Sequence, residues 1–171
     1  PARWAGAARG PADTASAGPP RDFKAAYEAG KEAMASVNSA KLALPSAEKN
    51  NPAALPALRL QMQEGAEKAR EQFRYALALV DDDTDLAQLN EVRYFLCWLH
   101  WEAGNYYEVA VPGDFLARRY PDHSAAAAAA KIALASYDRL QATPGGKTAS
   151  TTDADFGSRK MAAIAEFITR R

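Results

Sequence analysis

Phe23, Tyr27, Gly30, Met34 and Val37 follow one another at steps of four, three, four and three residues. That spacing holds them on one face of a helix. Asp22, just ahead, suits an N-cap whose carboxylate accepts from the amides of the first turn. Pro45-Ser46 is expected to stop this helix, and Asn50-Asn51-Pro52 to turn the chain. A second run begins between Pro52 and Leu55, with Pro56 tolerable in its first turn. Leu55, Leu58, Met62, Gly65, Ala69, Phe73, Ala76 and Val80 again alternate steps of three and four, and Glu67, Arg70, Glu71 and Arg74 fall on the other side as a solvated face.

The third predicted helix, Leu86 to Ala103, is apolar nearly all round, through Leu86, Leu89, Val92, Tyr94, Phe95, Cys97, Trp98, Leu99 and Trp101. A helix of this kind is normally packed between others. Gly104-Asn105 ends it, with Gly104 suited to the left-handed position that closes a helix. A fourth helix is expected from Tyr106 to Tyr120, stopped by Pro121. Pro112-Gly113 should weaken or kink it, because Pro112 has no amide for the bond one turn back. A fifth follows Ser124 through the alanine run to Leu140, residues 143–155 read as a flexible Gly/Thr-rich loop, and a last helix covers Phe156 to Arg171. The fold class is therefore all-α, with about six helices.

Residues 1–20 carry Gly, Pro, Ala and Ser, with Trp4 their only large hydrophobe. Such a stretch buries too little surface to offset its ordering entropy and reads as a disordered linker or tail. The helical domain spans 21–171. Because the chain opens on Pro1 and ends on Arg170-Arg171, it is expected to be a segment of a longer product, its last helix pair cut short. A signal or membrane tether upstream is compatible with that expectation.

Composition narrows the function classes. Lys plus Arg (21) equals Asp plus Glu (21), and no long basic run exists, so electrostatics supply no reason to bind nucleic acid. No apolar stretch approaches the roughly 18–20 residues a spanning helix needs. The single cysteine, Cys97, rules out an internal disulfide framework.

Candidate chemistry is thin. Asp81, Asp83 and Asp85 alternate like the first ligands of a calcium loop, but Leu86 and Val92 stand where its glycine and bidentate glutamate belong. The run reads instead as a turn in which Asp85 and Gln88 form a capping box. Cys97 and His100 lie three apart on one helix, yet no further pair completes a zinc site, and no orienting acid or oxyanion donors complete a nucleophile. Gly145-Gly146-Lys147-Thr148 lacks the leading glycine and the strand of a phosphate loop. No metal, no cofactor and no catalytic residue is assigned.

Two segments match each other. Val111 to Arg119 aligns with Ala163 to Arg171, Phe115 corresponding to Phe167 at an offset of 52 (167 − 115), and the acidic, aromatic, aliphatic and double-arginine positions coincide. Such internal similarity marks stacked helix pairs. Trp101-Glu102-Ala103-Gly104-Asn105-Tyr106-Tyr107-Glu108-Val109-Ala110, followed by Phe115-Leu116-Ala117-Arg118-Arg119-Tyr120-Pro121-Asp122, resembles a tetratricopeptide repeat (TPR) of the bacterial envelope type. Ala69, Phe73 and Ala76 match the small-aromatic-small ladder of another second helix. Trp98, where the family prefers a small residue, and Pro112-Gly113 depart from its pattern.

The resemblance, over roughly residues 53–171, implies an α-solenoid of antiparallel helix pairs that binds a protein or peptide in a groove as a scaffold, without catalysis. It also leans toward the bacterial envelope or periplasm over the cytoplasm. It implies that the third helix presents Val92, Phe95, Leu99 and Glu102 to the ligand, with Glu102 adding a charge contact. Trp98, Trp101, Tyr106 and Tyr107 read either as core or as an exposed anchor. The competing classes are the helical domain of an enzyme and a membrane-tethered envelope assembly component.

Overall fold

A computed structural model describes residues 19–142 and 151–170. The described residues form six α-helices and one short 3-10 turn, with no strand: α1 Phe23–Asn50, the turn Pro52–Ala54, α2 Leu55–Ala78, α3 Leu86–Glu102, α4 Tyr107–Arg119, α5 Ala126–Ala142 and α6 Thr151–Thr169. The all-α expectation holds. The expected tail over 1–20 lies almost wholly outside the described residues, as does the loop over 143–150.

Local rules explain three helix ends. Asp22 adopts an extended backbone and its Oδ1 accepts the Ala25 amide at 2.7 Å. Asp85 caps α3 in the same way, accepting the Gln88 amide at 2.8 Å. The acidic run before it is a tight turn, in which the Thr84 hydroxyl takes the Asp81 amide at 2.9 Å and donates to Asp81 Oδ1 at 2.7 Å. Gly104, at φ 75, closes α3 in the left-handed region that a side chain disfavours.

Two boundaries differ from expectation. α1 runs through Pro45 to Asn50 instead of stopping there. Pro45 removes one backbone bond but sits on the exposed side, while Ala40 and Ala47 remain buried to either side of it. Packing along α1 and α2 outweighs the roughly 3 kcal/mol a mid-helix proline costs. α4 keeps its expected span, running as one helix through exposed Pro112. Its partner α5 approaches so closely at Gly113 that an added Cβ would lie 3.0 Å from the Ala129 carbonyl and the Ala133 methyl. α6 starts at Thr151, so residues 151–155 of the expected loop are helical.

The core has two parts. Phe23, Ala26, Tyr27, Ala33 and Met34 of α1, Ala69, Phe73 and Ala76 of α2, and Leu89, Val92, Leu96 and Leu99 of α3 form one cluster. Ala110 and Ala117 of α4, Ala130, Ala133 and Tyr137 of α5, and Ile164 of α6 form the other. Small residues dominate the second because α4 and α5 lie close together. α3 bridges the halves, packing on α2, α4 and α5.

A polar link crosses the second half. Asp114 of α4, buried, takes a hydrogen bond from Lys160 of α6 at 3.2 Å and another from Arg118 of its own helix. The acid–arginine pair recurs 52 residues on (166 − 114), between Glu166 and Arg170, there on the surface.

Candidate functional site

α3 sorts its side chains by angle around its axis. Val92, Leu96 and Leu99 enter the α1–α2–α3 core, whereas Gln88, Glu91, Phe95, Trp98 and Glu102 are partly or fully accessible on the next strip round. Beside that strip, α3 and the start of α5 enclose a cavity of about 450 Å³ whose walls include Gln88, Glu91, Tyr94, Phe95, His123 and Ala128.

The four positions expected to face a ligand therefore separate. Val92 is 0% exposed and Leu99 2%. Both are spent on the core and offer no surface. Phe95 is half-buried, stacking one face on Phe73 at 5.2 Å while lining the cavity. Glu102 is exposed at the far end of the strip, where Lys41 of α1 pairs with it at 3.3 Å. The structure brings Phe95 together with Glu91, Tyr94 and His123, none of which stood among the expected residues. Glu91 and Gln88 share a helix face with Phe95 and Glu102 by spacing alone, a signal the sequence carries.

Polar contacts fix this wall. The Tyr27 hydroxyl donates to Glu91 Oε2, and Lys31 donates to the same hydroxyl at 3.3 Å with its ammonium 4.9 Å from the ring centroid. Burial, then the hydrogen bond to Glu91, raises the Tyr27 phenol above its usual range, so it stays a neutral donor. Lys41 lies 5.0 Å over the Trp98 ring, a cation–π contact in line with its Glu102 pairing.

His123 ties the opposite wall. Its Nδ1 accepts the Ala125 amide at 3.2 Å, which leaves the proton on Nε2, and Nε2 donates to the Ala87 carbonyl at 3.1 Å. One side chain thus couples the first turn of α3 to the residue that leads into α5.

The aromatic cluster at the α3–α4 joint divides. Trp101 packs on Tyr106 with centroids 5.2 Å apart, whereas Tyr107 is 78% exposed. On α4, Tyr107, Val111 and Phe115 are all exposed at steps of four.

Cys97 is buried in the core, and burial pushes its thiol up to about 12. It is a packing residue with no accessible thiolate. Among the described residues no three His, Cys, Asp or Glu side chains converge as a metal ion requires. No described helix is long and apolar enough to cross a membrane. Gly145 to Thr148 lie outside the described residues. Comparison with protein-family models, with curated proteins and with solved structures returns no match.

Proposed function

We propose that this chain is a TPR-like interaction module: three antiparallel helix pairs, α1–α2, α3–α4 and α5–α6, stacked so that the first helix of each pair lines a ligand-binding groove. Successive helices pack on one another, and α3 meets α5 directly and α1 through the Tyr27–Glu91 and Lys41–Glu102 contacts. That adjacency of alternate helices is what stacked pairs require.

The observation that carries the reading is the cavity beside Phe95. Two aromatic rings, Tyr94 and Phe95, stand in it next to the Glu91 carboxylate, over a small-residue wall from α5. Aromatic rings with two rotatable bonds make low-entropy contact surfaces, and such anchors dominate protein interfaces. The fitting ligand is a peptide whose apolar side chain inserts between Phe95 and Ala128, followed by a basic residue toward Glu91. Glu102 extends the same rim. Val92 and Leu99 belong to the support beneath the surface. The module acts through shape and charge, without a cofactor, as one part of a larger assembly.

The test is selection of peptides from a random displayed library on the purified chain, with Tyr94→Ala and Glu91→Gln variants of unchanged helicity as controls. Enrichment of an apolar-basic motif that both variants bind at least about tenfold more weakly supports the reading. Peptides that bind the wild type and both variants alike, or no enrichment at all, would overturn it.

A further inference from the structure

Glu67, Arg70, Glu71 and Arg74 read in the sequence as a solvated face of α2, but the fold sets that face against the corner between α3 and α4. A cleft of about 560 Å³ opens there, and Arg70, Arg74, Tyr75, His100 and Asn105 line it together with Glu67 and Glu71. It shares no residue with the cavity beside Phe95. Its volume falls within the range of small-molecule sites, roughly 300–1,000 Å³.

The two guanidinium groups of this cleft are uncommitted. Neither arginine makes a side-chain hydrogen bond or ion pair among the described residues, although both sit one helical step from a glutamate. Glu67 is engaged by Gln63 at 3.2 Å. His100 Nδ1 is buried with no partner, so Nε2 is the ring nitrogen left to face the opening.

Protonation follows from that geometry. Burial, then Arg74, lowers the His100 pKa from its ordinary value, with Glu108 opposing, so the ring is neutral at pH 7. An orphaned buried N–H is rarer and costlier than an orphaned acceptor. The single ring proton therefore sits on Nε2, and the cleft presents a donor there beside two guanidinium forks.

We propose that this cleft binds the carboxylate of a small organic acid, held by Arg70 and Arg74 with a hydrogen bond from His100 Nε2, the acid's apolar body lying against Tyr75 and Ala78. A planar, acceptor-only group matches guanidinium forks. A single negative charge is favoured over a doubly charged phosphate because Glu67 and Glu71 share the wall and would repel the second charge.

Benzoate is the probe, titrated into the whole chain while the ring signals of both histidines are followed by NMR. His100 should shift saturably with half-saturation at about 1 mM, a reasonable affinity for so small a ligand. His123, whose two nitrogens are already engaged, serves as the internal control and should not move. Benzamide, of the same shape without charge, should leave His100 unmoved, and inorganic phosphate should need several-fold higher concentration. Arg74→Gln and Arg70→Gln, both at the helix surface, should each weaken benzoate about tenfold with helicity intact. The proposal is overturned by a non-saturating His100 response, by benzamide or phosphate matching benzoate, or by undiminished binding in the Arg70→Gln, Arg74→Gln double variant.

Discussion

Phe95 of α3 lies on Phe73 of α2 with ring centroids 5.2 Å apart and planes 15° from parallel. The two rings have different jobs. Phe73 is wholly buried, while Phe95 turns its other side to the cavity. Phe73→Ala should cost about 3–5 kcal/mol of stability in urea titration, the usual range for emptying such a site. Phe95→Ala should cost clearly less and remove peptide binding. Equal losses from the two variants would contradict this division.

Asp114 holds α6 to α4 through Lys160. Asp114→Ala should destabilise by about 1–3 kcal/mol, because a buried group is lost while its cationic partners can return to water. The loss should be local. Amide hydrogen exchange should accelerate along α6 and stay near wild type in α1 and α2, which belong to the other half of the core. Uniform acceleration across all helices would show that the pair does not hold α6.

Gly30 and Gly104 should both resist replacement by alanine, for opposite reasons. At Gly30 the new methyl would drive into the Phe73 ring, whereas at Gly104 nothing lies within 4 Å and only the positive φ objects. Gly104→Ala should cost about 1 kcal/mol, and Gly30→Ala about 1–3 kcal/mol through overpacking. Thermal melts of the two variants check the order. At Gly104, Asn should recover part of the loss, since it tolerates the left-handed region better than Ala. At Gly30 it should not.

Two shifted groups set opposite pH limits. The His100 pKa is lowered in the folded chain, so the unfolded chain takes up that proton first as pH falls below about 6.5. Wild type should then lose more stability than His100→Gln between pH 7 and pH 5. Cys97 is the reverse case: the folded thiol resists ionisation from its ordinary 9.0 up to about 12. Its contribution is intact below pH 9 and lost as pH rises from there through 12. At pH 8 a thiol reagent should label Cys97 only once the protein is unfolded; rapid labelling of the native chain would contradict its burial.

Much of this molecule was legible along the chain. Asp22, Asp85 and Gly104 announce their helix ends because capping depends on a few neighbouring atoms. Steps of three and four residues likewise mark which side of α1 and α2 is apolar. Local rules failed at Pro45, where a lost backbone bond is outweighed by packing from helices distant in sequence. They also failed on α3. Its apolar residues surround the axis, so composition alone does not say which strip is buried.

What the sequence by itself determined is the helical class and most helix limits, through interactions that reach no further than one turn. The tertiary structure alone decided that Val92 and Leu99 face inward while Glu91 and Tyr94 face the cavity. It also turned a charged surface of α2 into a cleft beside His100. Those choices depend on which neighbours surround a helix, and burial is a property of the assembled packing rather than of the order of residues.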